Sequence, residues 1–198
     1  MLAPEFAEVV MRVAGVVVAL GVLLVTACGG GEPEGAEESA LTVAPSCTLG
    51  TVACTAEEAE TQRLQAEFVE AYWTYLREED RITAEGGVDE PTSILKQTTA
   101  EAFLEERMSS FRGWKSQGMK SSGQTRSWIR LAPGDAHESS DPRLTARICQ
   151  DGRDTVTTLA DGTQVREGRV VQATIFGKVL DGRPKIVYGD GEVVDKCE

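Results

Sequence analysis

Hydrophobic and polar positions divide the chain into four textures. From Val13 to Ala27 almost every residue is apolar or small. That run of fifteen residues falls short of the roughly 20 needed to span a bilayer as a helix. Between Gly29 and Ser46, Gly, Pro and Glu dominate and no apolar periodicity survives. A stretch of this kind cannot bury enough apolar surface to fold, so a disordered acidic spacer is expected.

Helical spacing begins after Cys54. Thr55-Ala-Glu-Glu58 has the form of a capping box, with Thr55 as N-cap and Glu58 three residues inside. Leu64, Phe68, Tyr72 and Leu76 follow at steps of four, Val69 and Tyr75 widen the stripe, and Trp73 lies beside it. Glu85-Gly-Gly-Val-Asp-Glu-Pro91 breaks the pattern. A short helical piece is predicted around Ser93 to Gln97. Thr98-Thr-Ala-Glu101 offers a second capping box for a helix through Phe103, Leu104, Met108, Phe111 and Trp114, with Gly118 closing it.

Beyond Gly118 the period changes to two. Thr125–Leu131, Arg143–Cys149 and Arg169–Leu180 read as strands, and Asp161-Gly162 and Asp181-Gly182 as hairpin turns. Lys185–Tyr188 and Val193–Cys197 read as two further strand segments. Residues 132–142 form a polar loop holding His137, the only histidine, which in that setting is expected to be solvated. Helices followed by an antiparallel meander predict an α+β fold, with the N-terminal helices packed on a curved antiparallel sheet.

The formal net charge of −12 would repel nucleic acid, whose binding rests on Lys and Arg neutralising phosphates, so no nucleic-acid partner is expected. Of 198 residues, about 140 remain for one folded domain, 55–198, enough to bury a core unaided. Arg12 ahead of the apolar run, and the small residues ending it, have the layout of a secretory signal spanning residues 1–27. Glu5 and Glu8 are out of place in such a segment, which points to Met11 as the true start. Five cysteines, Cys28, Cys47, Cys54, Cys149 and Cys197, leave one over if all others pair.

Leu24-Val-Thr-Ala-Cys28 resembles the lipobox of bacterial lipoproteins. That resemblance implies cleavage before Cys28, a diacylated thiol at Cys28, and a protein held on the extracytoplasmic face of the cell membrane. Residues 28–54 would then be the lipidated cysteine and its tether, and four cysteines remain to pair in a compartment that permits disulfides. Cys47 and Cys54 flank a short loop that one bridge would close.

The order helix, short helix, helix and hairpin strands resembles the NTF2-like, cystatin-like cone. More narrowly, the chain is similar to actinobacterial lipoproteins of unknown function. The residues that carry this are Phe68, Tyr72, Trp73 and Tyr75 on the first helix, Cys149-Gln150-Asp151 on a middle strand, and Cys197 near the end. A Gly-Arg-Trp-x-Val turn common in those relatives is replaced here by Asp181-Gly-Arg-Pro-Lys-Ile-Val187. If the fold holds, the resemblance implies that Cys149 and Cys197 lie side by side and bond; pairing of Cys47 or Cys54 with a sheet cysteine remains the alternative.

Candidate chemistry is sparse. No nucleophile elbow, metal-ligand spacing or Gly-rich phosphate loop occurs, so no metal, cofactor or enzymatic activity is expected. Asp151, Asp154, Tyr72 and Tyr75 are the side chains that cone enzymes could recruit, and their spacing singles none of them out. The expected function is therefore a lipid-anchored, non-catalytic binding or assembly module meeting a protein partner in the envelope. Two alternatives stand beside it: an apolar ligand in the cone, walled by Tyr72, Trp73, Phe103, Phe111 and Trp114, and an enzyme of the same class.

Overall fold

A computed structural model describes residues 55–138, 140–166 and 168–197. The segments expected to be signal and tether, with Cys28, Cys47 and Cys54, lie outside the described residues, which belong to one compact unit. Three helices precede seven strands: α1 (Ala56–Glu85), α2 (Ser93–Thr98), α3 (Glu101–Ser116), β1 (Lys120–Ser122), β2 (Arg126–Leu131), β3 (Thr145–Asp151), β4 (Val156–Thr158), β5 (Gln164–Val165), β6 (Val170–Leu180) and β7 (Arg183–Val194). The fold is α+β. All strand pairs are antiparallel, in a four-stranded sheet ordered β2-β3-β6-β7 and a small sheet ordered β1-β4-β5.

Helix α1 starts on the capping box: the Glu58 amide donates to the Thr55 hydroxyl and the Thr55 amide donates back to the Glu58 carboxylate. Its apolar stripe enters the core through Leu64, Phe68, Tyr72, Tyr75, Leu76 and Ile82. The helix ends at Gly86, and Gly87 must be glycine for a separate reason. At φ +87°, a β-carbon there would meet the Phe111 carbonyl oxygen at 2.2 Å, so α3's backbone lies directly against it. Helix α3 ends in a Schellman motif: Met119 N–H donates to the Trp114 carbonyl and Gly118 N–H to that of Lys115.

Two expectations are corrected here. The second capping box does not form. The Thr98 and Thr99 hydroxyls instead donate back to the Ile94 and Leu95 carbonyls of α2, and the Ala100 amide bonds Ile186 of β7. The two last strand segments are one strand, β7, continuous through Gly189 and Gly191. Those glycines sit where the backbone comes close to the Phe103 ring and to the Ala173 side chain, so they permit packing rather than break the strand.

Ile129, Ile148, Ile175 and Ile186 pack with the helices in the core. On the opposite face of the sheet Trp128 lies across from Cys149, and Cys149 is joined to Cys197 by a disulfide with Cα atoms 5.8 Å apart. The 132–144 loop is not freely solvated at His137: the imidazole is half-buried and stacks on Tyr188 with ring centres 3.9 Å apart. Among the described residues no helix is long and apolar enough to cross a membrane, and no group of His, Cys, Asp and Glu is placed to hold a metal ion.

Candidate functional site

Helix α1 stays in the core along its length, with Tyr75, Leu76 and Ile82 buried beyond Tyr72, and a neighbouring face of its second half borders a cleft. Helix α3, the small sheet and the near ends of β2 and β3 enclose this cleft, of about 410 Å³, against it. That volume falls in the range of small-molecule sites, roughly 300–1,000 Å³. Trp73, Leu76, Asp80 and Thr83 come from α1, and Ser110, Phe111 and Trp114 from α3. Helical spacing explains both sets, because residues three, four and seven apart share a face. The opposite wall is built from strands: Ser121 of β1 lies across from Thr157 of β4, and Ser127 of β2 across from Gln150 of β3.

Five aromatic residues are expected on the cavity wall, and the structure separates them. Trp73 and Trp114 line the cleft, half-buried, and Phe111 forms its floor while remaining almost wholly buried. Tyr72 and Phe103 do not line it. Tyr72 is 1% exposed and its hydroxyl accepts from Gln150 at 3.5 Å, while Phe103 packs edge-on against Tyr75 inside the core. Burial pushes the Tyr72 and Tyr75 hydroxyls well above the ordinary tyrosine value.

The cleft's charged groups are ones that spacing alone did not single out. Glu79 sits on its wall, accepting a hydrogen bond from the Tyr75 hydroxyl at 2.7 Å, with the Arg107 guanidinium 3.6 Å away. Enclosure by protein atoms raises its carboxyl above the ordinary value, although about a fifth of the side chain still meets solvent; Arg107 and Tyr75 oppose the rise. Asp80, at the cleft's lip, is raised by the same desolvation, and its carboxylate has no hydrogen-bond or ion-pair partner among the described residues. Arg77 also lines the cleft, but its guanidinium is drawn to Glu70 and Thr74 along α1. A signal for Glu79 was present: it falls four residues after Tyr75 and seven after Tyr72, a carboxylate on the apolar stripe.

The two acids flagged for recruitment are engaged elsewhere. Asp151 chelates Arg153, which pulls its carboxyl down to about 2, and Asp154 pairs with Arg126 at 3.0 Å. Neither lines the cleft. What remains there is an aromatic-flanked hollow with two carboxylates of raised pKa and a wall of hydroxyls.

No protein-family model matches the chain, and no curated protein matches it. Among solved structures, the chain is similar to the intermembrane-space region of the chloroplast protein ARC6, at 11% identity and a TM-score of 0.41. That match covers 72% of this chain and all of the other. It is similar also to a putative calcium/calmodulin-dependent protein kinase II association domain from Xanthomonas campestris, at 11% identity and a TM-score of 0.36, covering 64% and 87%. Likenesses this distant assign no fold family.

Proposed function

We propose that the chain is a lipoprotein anchored through Cys28 on the extracytoplasmic face of the membrane, and that its domain is a non-catalytic binding module with an NTF2-like cone. The order of three helices and an antiparallel sheet supports the cone. The lipobox-like Leu24–Cys28 supports the anchor. The observation that carries the binding role is the cleft between α1, α3 and the small sheet, with Trp73 and Trp114 on its walls. Glu79 is held by Tyr75 and Arg107, which suits a structural and electrostatic part rather than proton transfer.

Assembly on an envelope protein is the second reading, and one observation favours it. On the outer sheet face Trp128 is 42% exposed, and Arg130 lies directly across from Arg147 with no carboxylate partner for either among the described residues. Like charges facing each other across strands cost stability, so an anionic partner surface would relieve them.

Fatty-acid labelling with cell fractionation tests the anchor. Wild type should take up label and stay with the membrane, and Cys28→Ala should do neither. Label retained by Cys28→Ala would refute lipidation at that thiol. Native mass spectrometry of the full chain tests the cleft: a co-purified small ligand should be lost in Trp73→Ala/Trp114→Ala, and a ligand kept by that variant would place binding elsewhere.

A further inference from the structure

We infer that the cleft takes a neutral saccharide, its ring laid against Trp73 or Trp114 and its hydroxyls met by the strand wall; this rests on the binding role proposed above. The lining decides the class. Ser110, Ser121, Thr125 and Thr157 line the cleft, and their hydroxyls have no side-chain partner among the described residues. Ser121 and Thr157 are register partners on neighbouring strands, so two of these hydroxyls stand side by side.

A hydroxyl both donates and accepts, and so does each hydroxyl of a sugar. A row of such groups matches a polyol without fixing either partner's polarity in advance. Gln150 adds an amide, and the Asp80 carboxylate adds an acceptor with nothing bound to it. The indole faces complement the apolar C–H face that a sugar ring presents, which is where their large contact area is used.

Other ligand classes fit less well. A fatty or purely apolar ligand would cover the half-buried hydroxyls of Ser121, Thr125 and Thr157 without giving them partners, which costs free energy for each group covered. An anion would meet Glu79 and Asp80, while the lining cation Arg77 is drawn away to Glu70 and Thr74. An organic cation would suit those carboxylates, but Glu79 already faces Arg107, and the hydroxyl wall would again go unused.

The test uses the full-length lipidated protein in a detergent that carries no sugar headgroup. The probes are an immobilised array of neutral glycans built from hexoses, N-acetylhexosamines and pentoses, with palmitate as the apolar control. Saturable binding to a subset of the glycans is expected. Trp73→Ala/Trp114→Ala, which removes whichever indole carries the ring, should weaken it about tenfold, the scale of one lost aromatic contact. Ser121→Ala/Thr157→Val, which alters only partly exposed strand positions, should weaken it by a factor of about 3–10, the scale of lost hydrogen bonds.

Palmitate binding without glycan binding would overturn the saccharide assignment and leave the cleft's binding role intact. Binding of neither would overturn both. Glycan binding that neither variant weakens would place the sugar outside this cleft and overturn the inference.

Discussion

Asp151 and Glu79 are carboxylates that their surroundings push in opposite directions. Asp151 is stabilised as an anion by Arg153, so its contribution is present above the ordinary aspartate value of about 3.9 and is lost as pH falls towards about 2. Asp151→Asn should remove that acid-side loss from urea-unfolding curves measured across this range; an unchanged acid limb would contradict the pairing. Glu79 is raised by enclosure, so the folded chain holds its proton more tightly than the unfolded chain does. Stability should therefore fall as pH rises through the window just above the ordinary glutamate value. Tyr75, Arg107 and Asp80 are the groups acting on it, and Glu79→Gln should flatten that slope while leaving Tyr75 a partner. A third residue-scale prediction concerns Gly87: alanine there meets the Phe111 carbonyl and a left-handed backbone, and should cost roughly 2–4 kcal/mol in chemical denaturation.

At the scale of elements, what was legible in the sequence was local. The α1 capping box, its stripe and the Asp181-Gly182 turn are decided by neighbours within a few residues, and all three form. Thr98–Glu101 has an equally good local signature, yet it fails because β7 claims the Ala100 amide and the threonine hydroxyls are spent closing α2. Gly189 and Gly191 look like strand breakers until Phe103 and Ala173, distant in sequence, press against them. The cleft was half legible for the same reason. Helix spacing exposes Trp73 and Trp114, but the facing hydroxyls of Ser121 and Thr157 depend on β1, a three-residue strand paired across thirty-odd positions. The disulfide between Cys149 and Cys197 ties the chain's end to the outer face of the sheet, across a sequence separation of 48 residues. Cys149→Ala/Cys197→Ala should lower stability by up to about 4 kcal/mol, read from urea midpoints under non-reducing conditions. Equal stability with and without reductant would show that the bridge adds nothing.

For the whole molecule, two surfaces compete for the functional role: the cleft beside α1, and the outer sheet face with Trp128, Arg130 and Arg147. On the proposed anchor, a small-ligand site would make capture at the membrane surface the domain's task, whereas docking by the sheet would make assembly its task. Photo-crosslinking in intact cells separates them, with a benzophenone amino acid placed at position 114 in one variant and at 128 in another. The account predicts a recurring small-molecule adduct from position 114 and no recurring product from 128. A single protein joined repeatedly through 128, with nothing captured at 114, would contradict it and make the sheet face the working surface.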